Sequence, residues 1–245
     1  MNATPSLVVQ VSVPALAVAV TGIALRMWQR ARRDLGKAPR GAVALTVIGA
    51  WFATWGMLAA TGLLARFDLR PPPMMLMGAA VMAAALALGL SRIGGQLAAA
   101  TPVSALIGLQ AFRLPLELAM HQAAVEGVMP PQMSYAGFNF DIVTGASAAL
   151  LAWASWRGLT LPRAALWAWN VAGSLLLVNV LVIAVVSTPV IAAFGTEPSR
   201  LNVWVTQFPY VYLPTILVVV AAAGHVVVFR WLLASAPARS GEGRG

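Results

Sequence analysis

The chain has 245 residues, of which 60% are hydrophobic and only 9% charged, whereas a typical soluble domain carries ~25% charged residues; a soluble globular fold is excluded. The net charge of +9 lies in loops between apolar stretches, so it reads as a membrane-topology signal, and no nucleic-acid partner is expected. Cysteine is absent, which excludes disulfides, thiolate nucleophiles, iron–sulfur clusters and cysteine-based zinc sites.

Crossing the hydrocarbon takes ~20 apolar residues in a helix. Seven segments have that character, at residues 6–27, 42–65, 74–91, 102–123, 138–156, 164–187 and 209–233. They predict an all-α fold, a polytopic seven-helix transmembrane bundle over residues 1–234, followed by a disordered cytoplasmic tail at 235–245. The first segment is followed, not preceded, by positive charge, so it reads as a retained span and not as a cleaved signal. Span two carries Gly49, Ala53, Gly56 and Ala60 on neighbouring faces, a small-residue stripe suited to helix packing. Pro71, Pro72 and Pro73 close the loop before span three, Gly94 and Gly95 mark a turn after it, and Pro130 and Pro131 stiffen the loop before span five. Residues 188–208, with Val190, Ile191, Phe194, Trp204 and Phe208, read as an outer loop with aromatic anchors, or alternatively as a re-entrant lid. No internal repeat is visible, which removes the usual sequence support for an inverted-repeat transporter.

Orientation follows from the cations. Arg26, Arg30, Arg32, Arg33, Lys37, Arg40, Arg92, Arg157, Arg163, Arg230, Arg239 and Arg244 fall on one side by alternation, against Arg66, Arg70 and Arg200 on the other. Positive charge favours the cytoplasm. The expected N-terminus is outside, the C-terminus cytoplasmic, and the location the bacterial inner membrane.

Span four holds the most informative residues. Arg113, Glu117 and His121 follow at steps of four, which advance ~40° around a helix and ~6 Å along it, so they form one polar stripe. Ionisable groups at membrane depth normally face a protein interior or a wet cavity. Asn139 and Asp141 open span five at about the level of His121, Asn179 in span six falls near Glu117, and Gln207, Tyr210 and Tyr212 stand at the outer entrance of span seven. An outward-facing polar pocket built from Arg113, Glu117, His121, Asn139, Asp141, Asn179, Gln207 and Tyr210 is therefore expected. In it Arg113 would hold an anionic or carbonyl group, with Glu117 or Asp141 accepting or donating a proton. His225 and Asn170 share another depth and form a separate second polar layer joined by a hydrogen bond.

Other chemistries lack their residues. The only lysine, Lys37, lies in a loop, so a retinal Schiff base has no anchor. Two histidines at different depths supply neither a three-histidine zinc site nor a bis-histidine haem. Seven of the methionines, including Met57, Met120 and Met133, cluster toward the outer side, where apolar filling explains them better than copper. Neither metal nor cofactor is expected.

The segments FRLPLELAMH (112–121), PPQMSYAGFNFDIVTG (130–145), WAWN (167–170), NVLVIAVVSTP (179–189) and FPYVYLP through to His225 resemble a family of bacterial seven-span membrane proteins that has no assigned activity. The resemblance spans residues 105–233 and centres on Arg113, Glu117, Asn139, Asp141, Asn170, Asn179, Asn202 and His225; earlier spans agree in hydropathy alone. It implies the architecture and this residue set. From the residues, the expected function is binding of a small polar or anionic molecule by a transporter-like or sensor-like protein whose partners are the bilayer, that ligand and, as an open option, further copies of itself. A membrane enzyme using Glu117, Asp141 and His121 as acid–base groups on a lipid-soluble substrate is the alternative, and a purely structural subunit the third.

Overall fold

Apolar runs punctuated by proline and glycine leave the backbone no partner but itself, and helices result. The computed structural model describes residues 5–234 and contains no strand among them; the expected tail at 235–245 lies outside the described residues. In chain order the helices are α1 (Leu7–Asp34), α2 (Gly41–Ala60), α3 (Pro73–Leu90), α4 (Arg92–Ala100), α5 (Val103–Leu109), α6 (Arg113–Val125), α7 (Ile142–Trp156), α8 (Arg163–Val186) and α9 (Val219–Ala234). A 3-10 turn at Gln110–Phe112 joins α5 and α6 into one rod of 23 residues, and a π-helical stretch, Leu213–Val218, leads into α9. Six helical lengths are long and apolar enough to cross a membrane, namely α1, α2, α3, the α5–α6 rod, α8 and Leu213–Ala234. These six fit a multi-pass membrane protein.

The fifth expected segment differs. Its helix, α7, has 15 residues, ~22 Å against a hydrocarbon core of ~30 Å. Residues 138–141, expected inside the span, are irregular chain because their polar groups are committed to tertiary hydrogen bonds described below.

Ser91 turned the expected Gly94–Gly95 loop into a helix: its hydroxyl accepts from the Ile93 N–H at 3.0 Å and caps α4. Gly94 lies against the Gly89 carbonyl, where any Cβ would collide. Arg230 folds over Gly95 and donates to the Gly89 and Ser91 carbonyls at 2.7 and 2.8 Å. Trp28 Nε1 donates to Gln96 Oε1 at 2.8 Å, and Arg163 bonds the Leu232 carbonyl. These ties gather the ends of α1, α3 and α9 and the start of α8 at one end of the bundle, with the basic residues they carry. At the other end Glu126 accepts from Ser6 N–H and Gln122 Nε2, both at 2.8 Å, pinning the start of α1 to the end of α6 and holding the carboxyl below its ordinary value.

The last span is the most enclosed, with 56% of its apolar window buried, while α2 is the least, with 17%. The packing face of α2 is Trp55, Gly56 and Ala59. Gly49, Ala53 and Ala60 of the expected stripe are exposed, while Gly56 is buried, the Tyr212 hydroxyl lying 2.6 Å from where a Cβ would stand. Residues 188–208 form no spanning helix; they are turns, including Pro198–Arg200 and Trp204–Thr206, that tuck Asn202 and Trp204 inward while Val190, Ile191 and Phe208 stay exposed.

Candidate functional site

A buried charge must be matched and its polar atoms bonded, or it costs several kcal/mol. Arg113 opens α6 with 1% exposure. Its Nη1 donates to Asp141 Oδ1 at 2.9 Å and contacts His225 Nε2 at 3.3 Å. A guanidinium only donates, so Nε2 accepts and the imidazole proton sits on Nδ1, which gives it to Asn170 Oδ1 at 2.8 Å. Asn170 Nδ2 returns a bond to the His225 carbonyl at 3.1 Å. On the other flank Asn139 Nδ2 donates to both oxygens of Glu117 at 2.9 Å and to the Met133 carbonyl at 3.0 Å, while Asn139 Oδ1 accepts from the Asp141 N–H at 3.0 Å.

The result is one chain, Glu117–Asn139–Asp141–Arg113–His225–Asn170, every member buried. One cation faces two carboxylates, so the cluster is neutral only when it carries one additional proton. Arg113 Nη2 has no hydrogen-bond partner among the described residues.

Glycines set the spacing. Gly145 of α7 stands where a Cβ would run into the backbone of Arg113 and Leu114, and Gly173 of α8 stands 2.7 Å, at its Cβ position, from His225 Cε1. Helix α7 thus begins about halfway along the α5–α6 rod. The length that α7 lacks at its start is replaced by residues 126–141, folded inward with Met129, Met133, Ser134 and Asn139 buried. Irregular backbone at such depth is tolerated only when protein encloses it. Asp141 immediately precedes α7, so its carboxylate stands at the positive end of that helix's dipole, which favours it.

His121 stands above this network. Its Nδ1 is 3.1 Å from Ser134 Oγ, and its ring stacks on Tyr135 at 4.5 Å. It lines a cavity of about 400 Å³ with Gln132, Ser134, Phe138 and Arg200, and no acidic residue lines it. Gln132 Nε2 reaches Ser187 Oγ and the Arg200 carbonyl at 3.1 and 2.7 Å, leaving its buried Oε1 without a partner among the described residues. The Ser134 carbonyl accepts from the Asn139 N–H at 3.3 Å, which links the cavity wall to the residue that holds Glu117.

The expected pocket residues therefore separate. Arg113, Glu117, Asn139 and Asp141 meet, but they line neither this cavity nor the larger groove described below. Asn179 donates to the Phe138 carbonyl at 2.8 Å and supports the cavity wall, not Glu117. Gln207 is exposed, and Tyr210 is buried against Trp204 with ring centres 5.1 Å apart. His225 and Asn170 do bond, yet not as a separate layer: the long Arg113 side chain bridges to them. Gln132, Ser134 and Arg200 were not anticipated; two are uncharged loop residues, and the third was absorbed into the charge count.

The curated proteins and the solved structures contain no match to the chain. A family model, described as a domain of unknown function (DUF8737), matches residues 71–233. The match reaches past the expected 105–233 to include α3, covers more than half of the chain and takes in the buried network and the cavity residues. The chain is a member of the DUF8737 family.

Proposed function

We propose that this is a multi-pass protein of the bacterial cytoplasmic membrane, seven-span when α7 and its folded-in segment are counted as one crossing, with an outside N-terminus and a cytoplasmic C-terminus. It binds a small polar or anionic ligand in the His121–Arg200 cavity, in a transporter-like or sensor-like role. The observation that carries this reading is an acid-free cavity with His121 and Arg200 among its lining residues, joined by hydrogen bonds through Ser134 and Asn139 to a buried carboxylate. Arg200 is only loosely engaged, its Nε being 4.0 Å from the exposed Glu197 carboxylate. About 400 Å³ is within the ~300–1,000 Å³ range of small-molecule sites. The unpartnered Gln132 Oε1 would accept from a hydroxyl or amino group on the same ligand.

Binding would pull on Ser134 and Asn139 and so change the surroundings of Glu117. The proton balance of Glu117 and Asp141 around Arg113 is the element that responds. Broken helices whose half-helix ends meet at mid-depth are a recurring way to build such sites.

The test is a thermal-shift panel of small carboxylates, phosphates and their hydroxylated or amino derivatives on the purified protein. At least one anion is expected to raise Tm, and Arg200→Gln and His121→Ala, both at partly exposed positions, are expected to abolish that rise while leaving the basal Tm within a few degrees. A panel in which no anion acts, or in which both variants respond like wild type, contradicts the proposal and leaves the buried network a packing device.

A further inference from the structure

A second site lies at the opposite, basic end. The C-terminal half of α1, the N-terminal half of α2, the end of α3, the first two turns of α4, α5 and the last span line a groove of about 1,090 Å³, just above the ~300–1,000 Å³ range of drug-sized sites. Its walls are apolar, with Val47, Trp51, Leu88, Leu109 and Val220. Its mouth is basic: Arg32, Lys37, Arg40 and Arg92 all line it, and no acidic residue does. None of the four is in an ion pair among the described residues. Arg32 is fixed in place by the Ala38 carbonyl and by the Trp28 ring 5.3 Å beneath its guanidinium, whereas Lys37, Arg40 and Arg92 are exposed.

We propose that this groove seats one anionic phospholipid, with acyl chains along α2 and the phosphate among Lys37, Arg40 and Arg92. Two independent features select this occupant. The first is depth: α1 is 28 residues long, ~42 Å, and so outruns a ~30 Å hydrocarbon core by its last turns. Its basic C-terminal end then stands at headgroup level. The second is access: α2 buries only Trp55, Gly56 and Ala59, all in its second half, while Val43 and Val47 line the groove and are still 65% and 63% exposed. The first half of α2 buries no residue, so exposed apolar side chains border the groove on that side. A free phosphate would leave the apolar volume unfilled, and a neutral lipid would leave the cations unmatched.

Each basic residue near an anionic surface strengthens binding on the order of fivefold. Titrations followed by native mass spectrometry, on the full chain in mild detergent, would compare phosphatidylglycerol with phosphatidylcholine of the same chain length. Wild type is expected to prefer phosphatidylglycerol at least ~10-fold, and Lys37→Gln with Arg40→Gln and Arg92→Gln together to remove the preference. Ala44→Trp, which fills the groove from the first half of α2, is expected to weaken both lipids. Equal affinity of wild type for the two lipids, a preference that survives the triple substitution, or glycerol phosphate binding as tightly as phosphatidylglycerol would overturn the proposal. Should the triple variant aggregate, the wild-type preference is expected to vanish in 0.5 M salt, and its persistence there would count equally against the idea. The His121–Arg200 cavity is untouched by these variants, so the two proposals fail separately.

Discussion

At the residue scale, Arg113 organises the interior. It is the one cation shared by Asp141, His225 and, through Asn139, Glu117. Removing one partner of such a pair leaves an unmatched buried charge at a cost of about 3–5 kcal/mol, whereas replacing both by apolar groups is often close to neutral. Arg113→Met, which leaves two buried carboxylates without their cation, is therefore expected to lower Tm sharply, by ten degrees or more, and Arg113→Met with Asp141→Leu to recover much of that loss, as read by thermal unfolding in detergent. A single variant as stable as wild type would show that Arg113 does not hold the carboxylates' charge. The i, i+4 stripe of Arg113 and Glu117 and its grouping with Asn139 and Asp141 could be read from the sequence, because an apolar span leaves so few places for charge, but not that Asp141 rather than Glu117 bonds the guanidinium. The cavity residues could not, since Gln132 and Ser134 carry no charge and sit outside every hydrophobic run. Depth counting also misassigned Asn179, Gln207 and Tyr210, because depth says nothing about which helices are neighbours.

At the element scale, the decisive feature is the shortened α7. Hydropathy alone merges residues 138–141 with the helix, since Phe138 and Phe140 flank polar Asn139 and the run then continues through Ile142 and Val143. The chain instead breaks where Asn139 and Asp141 find better hydrogen bonds in the interior than in a helical turn. Gly145 makes that junction possible by letting α7 touch the backbone of Arg113 and Leu114. Gly145→Ala puts a methyl group into that contact, and overpacking of this kind costs about 1–3 kcal/mol. The expected result is a lower Tm with the α7 amides exchanging faster in hydrogen-exchange mass spectrometry; unchanged exchange would show that α7 is held elsewhere. The helical turn at Ser91–Gly95 escaped the sequence for a related reason, as two adjacent glycines read as a turn until the serine cap and the packed Arg230 are known.

At the scale of the whole molecule, the fold class and the separation of the basic end from the opposite one were legible because composition and charge placement act over the entire chain. The native lack of cysteine gives a clean test of orientation. Thr196→Cys is expected to react with a membrane-impermeant maleimide in intact cells, and Leu159→Cys only after lysis; the reverse pattern would invert the topology. The proposed coupling of anion binding in the His121–Arg200 cavity to the protons of the buried cluster is tested most directly by calorimetry of an anion identified by the panel, run in two buffers of different ionisation enthalpy. Wild type is predicted to show a buffer-dependent heat, reporting proton exchange on binding, and Glu117→Gln to lose that dependence while staying folded. A buffer-independent heat in wild type, or the same proton exchange in Glu117→Gln, would contradict the coupling.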